Sequence, residues 1–364
     1  MTLRLKTSIT PFLIVGTITG GLLAFLSHSF FPTGSFNQLL VYYTALFYGI
    51  LFLLAYRSDL SLIRLLCSTL FSSILIALPI VWLSRPIWPF SISAFLLCAL
   101  SGYAVNAFHI NYSQHRFHFS YSTLFDAVWN TVFQLFTALC FTLICNLLLW
   151  LCESLFSFIG MNFFHQLFSN NRFETWSSTL FFAIGLYIAI QAQHIIQQCR
   201  FILLLMCKYL FPALAVVGVL FIVSAIGTLF FPTSPNTLVS PNNNFLLCFS
   251  FFSILFFNGV YQDGTLHNPY PIYLAWINRI FLIVTPVFTV LALYTVYHQK
   301  ISINNFSYCV DAVLLLLYNL AYAIIHLQKT PELKAIEKIN IVLGIAVVVV
   351  TLATTNGWMV NFIL

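Results

Sequence analysis

The hydrophobic pattern of this chain is one of long apolar runs separated by short polar segments. A helix needs about 20 mostly apolar residues to cross a bilayer. Eleven runs of roughly this length occupy residues 9–31, 37–56, 64–83, 88–108, 126–151, 176–193, 202–231, 244–260, 276–297, 306–327 and 338–355. Most intervening segments are too short to fold alone. The pattern therefore predicts an all-α protein, a polytopic transmembrane helical bundle of about eleven spans, without a separate soluble domain.

The composition supports this prediction. Of the 364 residues, 61% are hydrophobic and only 6% are charged, whereas soluble domains carry about 25% charged residues. So few charged side chains cannot cover a surface in water, and the lipid bilayer is the first predicted partner. The basic residues are spread singly and form no patch, so nucleic acid is not predicted to bind. The cysteines are scattered without a Cys-x-x-Cys pair, which predicts reduced thiols and no zinc site.

The positions of the basic residues predict an orientation. Eleven of the 14 Lys and Arg residues lie at the N-terminus or in and beside every second loop; the exceptions are Arg85, Arg172 and Lys300. Positively charged residues favour the cytoplasmic side of a membrane. We therefore expect a cytoplasmic N-terminus and, with an odd number of spans, a C-terminus on the opposite side.

Short matches in the same order suggest an internal repeat. Residues 30–33 and 230–233 both read Phe-Phe-Pro-Thr, and Leu62–Leu65 resembles Ile277–Ile280. Both halves begin on the same side, so the repeat would be parallel, which is one known plan of transporters. The predicted parts are a first transmembrane half with an interfacial segment at 1–159, an outer aromatic segment and linker span at 160–200, and a second half at 201–364. The alternative is chance similarity between apolar segments.

A polar stripe marks the fifth span. Asp126, Asn130, Gln134 and Thr137 share one face of the predicted helix. Since exposure of such groups to lipid is costly, the stripe should face the bundle interior or a wet cavity. One interpretation is a polar pathway with Asp126 at its cytoplasmic mouth. The other is hydrogen bonding between helices, which stabilises by about 0.6 kcal/mol per bond on average. The same two interpretations apply to Asn106, Asn146, Asn258 and Asn319.

Three loop segments contain residues that could carry chemistry. The fourth loop brings three histidines together around residues 109–118, but their spacing matches no standard zinc site, so solvated histidines are expected and no metal is predicted. The aromatic segment at 155–168 predicts a short interfacial helix, with gating of a pore as the alternative. The eighth loop offers a cytoplasmic binding or gating site, with a rigid structural turn as the alternative. Its candidate residues are Tyr261, Gln262, Asp263, Gly264, Pro269 and Pro271.

Catalytic templates are missing from the sequence. It contains no Gly-x-Ser-x-Gly, no His-Glu-x-x-His and no phosphate-binding loop of the Walker type. No catalytic residue and no cofactor is therefore predicted, and the pattern leans against an enzyme.

Three segments carry a resemblance to a known family. They are Asp126–Asn130 with the aromatic stretch Leu155–Gly160, the Phe163–Phe173 region, and Asn258–Gly264 with Pro269–Pro271. Over roughly residues 120–355 the chain resembles a bacterial inner-membrane family known as domain of unknown function 4153. The resemblance implies a multi-pass protein of the bacterial inner membrane, and the charge pattern then places the N-terminus in the cytoplasm and the C-terminus in the periplasm. It implies no catalytic residue, cofactor or substrate.

Together these observations favour a transporter-like or permease-like membrane protein that moves a small molecule or an ion. The alternative is a non-enzymatic membrane scaffold or assembly factor for a protein partner that the sequence does not identify. An enzyme acting on a lipid-linked substrate ranks last, because no catalytic template supports it.

Overall fold

A computed structural model describes residues 8–30, 35–58, 60–83, 92–116, 120–158, 161, 163–230, 244–262, 270–298, 303–328 and 333–355. These residues form twelve α-helices and no strand. The helices are α1 Thr10–Phe30, α2 Phe36–Leu54, α3 Leu62–Leu83, α4 Ile92–His115, α5 Tyr121–Phe158, α6 Phe163–Phe168, α7 Asn171–Gln191, α8 Gln193–Phe230, α9 Asn244–Tyr261, α10 Ile272–His298, α11 Ile303–Leu327 and α12 Leu333–Thr355.

The helices have the lengths that a bilayer requires. Ten helices of the described chain are long and apolar enough to cross a membrane, and α9 adds a shorter apolar stretch at Phe245–Tyr261. Each of the eleven predicted runs overlaps one of these eleven helices, and the six-residue α6 is the remaining element. The chain is a multi-spanning membrane protein, and the predicted all-α polytopic bundle is confirmed.

The helices belong to two compact units. Unit 1 comprises residues 1–85, 105–119 and 126–200, and unit 2 comprises 86–104, 120–125 and 201–364. The division at Arg200 and Phe201 coincides with the predicted start of the second half, while 86–104 and 120–125 group with unit 2. The Phe-Phe-Pro-Thr segments lie largely outside the described residues, and the repeat stays a prediction.

Glycines bring the helices of unit 1 close together. A Cβ atom added to Gly16 of α1 would lie 2.7 Å from the Cβ of Ala183 on α7. One turn later, a Cβ on Gly20 would lie 2.9 Å from the carbonyl oxygen of Trp176. Small residues four apart permit such backbone approach in membrane helices, where packing rather than the hydrophobic effect drives association. On another face of α7, Gly185 packs in the same way against α5, and α7 thereby holds both α1 and α5.

Two helices are much longer than a bilayer is thick. α5 and α8 each contain 38 residues, which is about 57 Å at a rise of 1.5 Å per residue. The hydrocarbon core is only about 30 Å thick, so the ends of both helices reach into the interfacial region. α5 begins at Tyr121, before the predicted start of the fifth span at 126. Asp126 therefore lies in the second turn of an established helix.

Aromatic rings fill the interior of unit 2. Phe211 of α8 contacts Phe257 of α9 and Phe281 of α10, with ring centroids 6.1 Å and 6.0 Å apart. Gly218 of α8 lies directly against the Phe281 ring, where any larger side chain would collide. A second ring pair, Phe249 and Phe288, lies 4.8 Å apart. The packing fixes α8, α9 and α10 as one group.

The predicted short helix of the outer aromatic segment is present as α6. The Phe164 ring stacks on Phe156 of α5 at 4.3 Å and contacts Phe168 at 5.8 Å. His165 Nδ1 lies 2.6 Å from a carboxylate oxygen of Glu153, which ties α6 to the end of α5. Gly160 of this segment lies outside the described residues.

Candidate functional site

An ion pair joins the fifth and eighth helices in unit 1. The Nη2 of Arg200 donates to Asp126 Oδ1 at 2.5 Å, and its Nη1 reaches Asn130 Oδ1 at 3.5 Å. The Arg200 side chain is only 18% exposed, whereas the Asp126 side chain is 55% exposed. The Arg200 guanidinium is thus mostly covered by protein, whereas the Asp126 carboxylate that neutralises it is exposed.

The helix geometry explains why these three side chains meet. Asp126 and Asn130 are four residues apart on α5, so they share one face and lie about 6 Å apart along the axis. Arg200 lies two turns into α8 and presents its long side chain to both. This partner could not be predicted from the sequence, because Arg200 is 74 residues from Asp126 and is an isolated cation between polar and apolar segments.

The rest of the predicted stripe behaves differently. Thr137 Oγ1 donates to the Phe133 carbonyl oxygen of its own helix at 2.8 Å, and Gln134 is half-buried. The structure therefore places Asp126 and Asn130 with Arg200, while Thr137 makes a bond within α5. A role for these four residues in a pathway stays a prediction.

A second polar cluster of unit 1 lies between α3, α4 and α5. Asn106 Nδ2 donates to Thr131 Oγ1 at 3.1 Å, and His109 Nε2 lies 3.4 Å from Thr69 Oγ1. All four side chains are buried; Asn106 is 6% exposed and His109 is 3% exposed. Asn106 and His109 are three residues apart and therefore lie on one face of α4.

Two atoms of this cluster have no hydrogen-bond partner within the described part of the chain. They are the amide oxygen of Asn106 and the Nδ1 of His109. The expectation of solvated loop histidines is wrong for His109, because α4 continues to His115 and carries His109 into the packed interior. The His115 side chain and residue His118 lie outside the described residues.

In unit 2, by contrast, one polar cluster closes on itself. Asn258 Nδ2 donates to Tyr322 Oη at 3.0 Å, Tyr322 Oη donates to Asn340 Oδ1 at 2.5 Å, and Asn340 Nδ2 donates back to Asn258 Oδ1 at 2.8 Å. Tyr121 Oη adds a bond to Asn258 Oδ1 at 3.1 Å. The ring ties α9, α11 and α12 together. The second amide proton of Asn258 goes to the Ile254 carbonyl oxygen of its own helix at 3.0 Å, so the amide is fully bonded.

Two of the predicted intramembrane asparagines also bond between helices, whereas one buried asparagine of unit 2 does not. Asn146 Nδ2 donates to Ser178 Oγ at 3.0 Å, and Asn319 Nδ2 donates to Ser250 Oγ at 2.5 Å. These contacts fit the interpretation that such residues join helices. The exception is Asn278 of α10, which is buried while both of its amide atoms lack a partner among the residues described.

The eighth-loop candidates are partly described. Tyr261 is buried at the end of α9, with its ring 6.2 Å from Tyr121, and Gln262 ends the helix in a left-handed conformation with φ 53°. The Pro271 carbonyl accepts the Ala275 amide at 3.0 Å and so begins α10. Asp263, Gly264 and Pro269 lie outside the described residues. The described ends of this loop are structural caps of helices.

Beside the same loop, Tyr270 Oη donates to the Lys208 carbonyl oxygen at 2.8 Å. Burial raises the pKa of this phenol above its ordinary value, so the hydroxyl stays protonated and remains a donor. Among the described residues, no three His, Cys, Asp or Glu side chains stand close enough to hold a metal ion.

Comparisons of the chain with protein-family models, with curated proteins and with solved structures found no match. The family resemblance in the sequence therefore stays a prediction, and the site rests on its own geometry.

Proposed function

We propose that this chain is a transporter-like or permease-like protein of a bacterial inner membrane, with its polar route in unit 1. The route begins at the Asp126–Arg200 pair and continues to Asn106 and His109. Under the orientation that the basic residues predict, the Asp126 end faces the cytoplasm.

The observation that carries the proposal is that two buried atoms, the amide oxygen of Asn106 and the Nδ1 of His109, have no hydrogen-bond partner among the described residues. A buried polar atom without a partner costs about 1–3 kcal/mol, and water is scarce inside a bilayer. A helix with a purely structural role gains nothing from two such groups on one face. Water or a passing polar molecule would satisfy both the Asn106 oxygen and the His109 nitrogen, and intramembrane polar groups commonly mark such pathways.

The two polar clusters of unit 1 adjoin each other on α5. Asn130 contacts Arg200, and the next residue, Thr131, accepts the Asn106 hydrogen bond. Consecutive residues of α5 therefore belong to the two clusters, Asn130 to the one with the exposed carboxylate of Asp126 and Thr131 to the one with the buried Asn106. A route that joins them would let a polar solute leave water in steps.

Thiol accessibility tests the route. Asn106→Cys and His109→Cys are each made in the full chain, treated in membranes with a water-soluble thiol reagent, and analysed by peptide mass spectrometry, which separates the new cysteine from the native ones. The matched control is Ala107→Cys, which is equally buried on α4 but is turned by about 100° from Asn106 and about 160° from His109 around the helix axis. We expect the reagent to modify positions 106 and 109 and to spare 107.

Equal protection of all three positions, from both sides of the membrane, would contradict the route. The scaffold would then be the better interpretation. The exposed rings at the α5–α6 corner, Phe158 and Phe163, would be the first surface to examine for a protein partner by crosslinking.

A further inference from the structure

Unit 1 contains a cavity within its membrane-spanning helices. The cavity has a volume of about 270 Å³, and residues of α1, α2, α5 and α7 line it. The lining residues, such as Gly16, Thr142 and Ala183, all lie inside the segments that are long and apolar enough to cross a bilayer. The cavity is therefore at the depth of the hydrocarbon core of the membrane.

Small residues of three helices leave this space open. Gly16 of α1 lies against Ala183 of α7, and a Cβ atom added to Gly49 of α2 would lie 2.8 Å from the Thr19 Oγ1 of α1. The helices approach closely at these points, but glycine and alanine supply no long side chain to fill the room beside them. Leu46 of α2, which also lines the cavity, is only half-buried. The cavity is therefore partly open to the surroundings of the helices.

The wall of the cavity matches an uncharged apolar ligand. No acidic or basic side chain is among the described residues that line it. Three of its four hydroxyl groups are bonded within the protein: Thr142 Oγ1 donates to the Ala138 carbonyl oxygen at 2.8 Å, Thr179 Oγ1 donates to the Thr175 carbonyl oxygen at 2.7 Å, and Ser178 Oγ accepts from Asn146 Nδ2 at 3.0 Å. The fourth, on Thr19, packs against Gly49. A charged or strongly polar ligand would lose its hydration here without gaining matching partners.

The volume of the cavity suits a segment of hydrocarbon chain. An apolar cavity of about 150 Å³ stays free of water and admits benzene, so a cavity of about 270 Å³ has room for several methylene groups. Filling it restores the packing contacts that its walls otherwise lack. Because the cavity opens at the depth of the hydrocarbon core, the apolar molecules that surround it are the acyl chains of lipids.

We propose that this cavity binds an acyl chain of a membrane phospholipid. The chain packs against α1, α2, α5 and α7 and occupies the space beside Gly16 and Gly49. The proposal does not depend on the polar route, because none of the residues that line the cavity belongs to the Asp126–Arg200 pair or to the cluster around Asn106 and His109.

The test is photolabelling of the full-length protein. The protein is placed in vesicles of phosphatidylethanolamine and phosphatidylglycerol that contain a phosphatidylglycerol with a diazirine in one acyl chain. It is then purified into detergent, which removes loosely held lipid, and irradiated, and peptide mass spectrometry locates the label. We expect label on lining residues such as Leu46 and Phe182. Ile18 and Phe25, which are exposed on α1 and do not line the cavity, should carry none.

A matched pair of variants locates the bound chain. Val15 lines the cavity, so Val15→Phe places a ring in the space that the acyl chain would occupy, and the retained label should be lost. The adjacent Ile14 is exposed and does not line the cavity, so Ile14→Phe adds the same ring outside it and should keep the label. The positions of the label in the wild type decide the proposal by themselves if Val15→Phe does not fold.

Three results would overturn the proposal: the lining residues carry no label, the label is equally strong on Ile18 and Phe25, or a folded Val15→Phe variant retains it. Equal label on the exposed residues would mean that only loosely held lipid surrounds the helices. Unlabelled lining residues in a protein with the mass of a dimer would assign the cavity to a side chain from a second copy of the chain.

Discussion

Two neighbouring glycines of α1 should respond in opposite ways to the same substitution. Gly20 faces α7, where an added Cβ would lie 2.9 Å from the Trp176 carbonyl oxygen and 3.2 Å from the Thr179 Cβ. Gly21 faces the other way, and no described atom lies within 4 Å of its added Cβ. Gly21→Ala is therefore a matched control for Gly20→Ala.

The magnitudes follow from two effects. Replacing Gly by Ala inside a helix stabilises by about 1 kcal/mol, and this gain is common to both variants. Forcing an extra carbon into a packed contact costs about 1–3 kcal/mol. This cost applies only to Gly20→Ala, because the closest neighbour of the added carbon is a backbone atom, which cannot rotate away. We expect Gly20→Ala to be less stable than Gly21→Ala by about 1–3 kcal/mol.

The assay is equilibrium unfolding of the full-length protein in mixed micelles with increasing SDS, followed by the change in helical circular dichroism. Both variants and the wild type are measured under one condition, so that only the difference between adjacent positions is interpreted. Equal stability of the two variants would refute the close contact between α1 and α7.

Three further predictions concern single side chains. Gln262→Gly should stabilise by up to about 1 kcal/mol in the same assay, because a left-handed φ of 53° suits glycine; a loss of stability would contradict this. Asn278→Leu should stabilise by about 1 kcal/mol, because both of its buried amide atoms lack a partner among the described residues, and destabilisation would contradict this account. Tyr270→Phe should cost about 1 kcal/mol by removing the bond to Lys208. Burial raises the pKa of Tyr270 above the ordinary phenol value of 10.0, so the unfolded chain loses this proton before the folded protein does. The wild type should therefore lose stability as the pH rises above 10.0. An equal loss in Tyr270→Phe over the same pH range would contradict the attribution of this effect to Tyr270.

Much of the fold could be predicted because the signal is local. Apolar length alone identifies a spanning helix, and each of the eleven runs overlaps one. The ends of α5 and α8 could not be predicted in this way. Residues 193–200 include three glutamines and an arginine, yet they belong to α8. The backbone hydrogen bonds of a helix continue beyond the apolar segment, because they do not depend on the polarity of the side chains.

The pairing of side chains was harder to predict for a different physical reason. A helical face shows which residues of one helix lie together, and it correctly grouped Asp126 with Asn130. It contains no information about which other helix packs on that face, so Arg200 was missed. His109 was misplaced because its neighbours in sequence, Asn111 to Gln114, resemble a loop although α4 continues through them.

The contrast between Asn258 and Asn106 shows why one polar cluster stabilises and the other is a candidate route. The Asn258 amide donates to Tyr322 of α11 and accepts from Asn340 of α12. Its ring of hydrogen bonds therefore holds α9, α11 and α12 in register. The amide nitrogen of Asn106 donates to Thr131. Its amide oxygen, and the Nδ1 of His109 three residues later, have no hydrogen-bond partner among the described residues. A closed ring cannot accept a ligand without breaking a bond it already has. An open one could accept a hydrogen bond from a ligand without losing a bond it already has. Thr131, which bonds Asn106, follows Asn130 directly along α5.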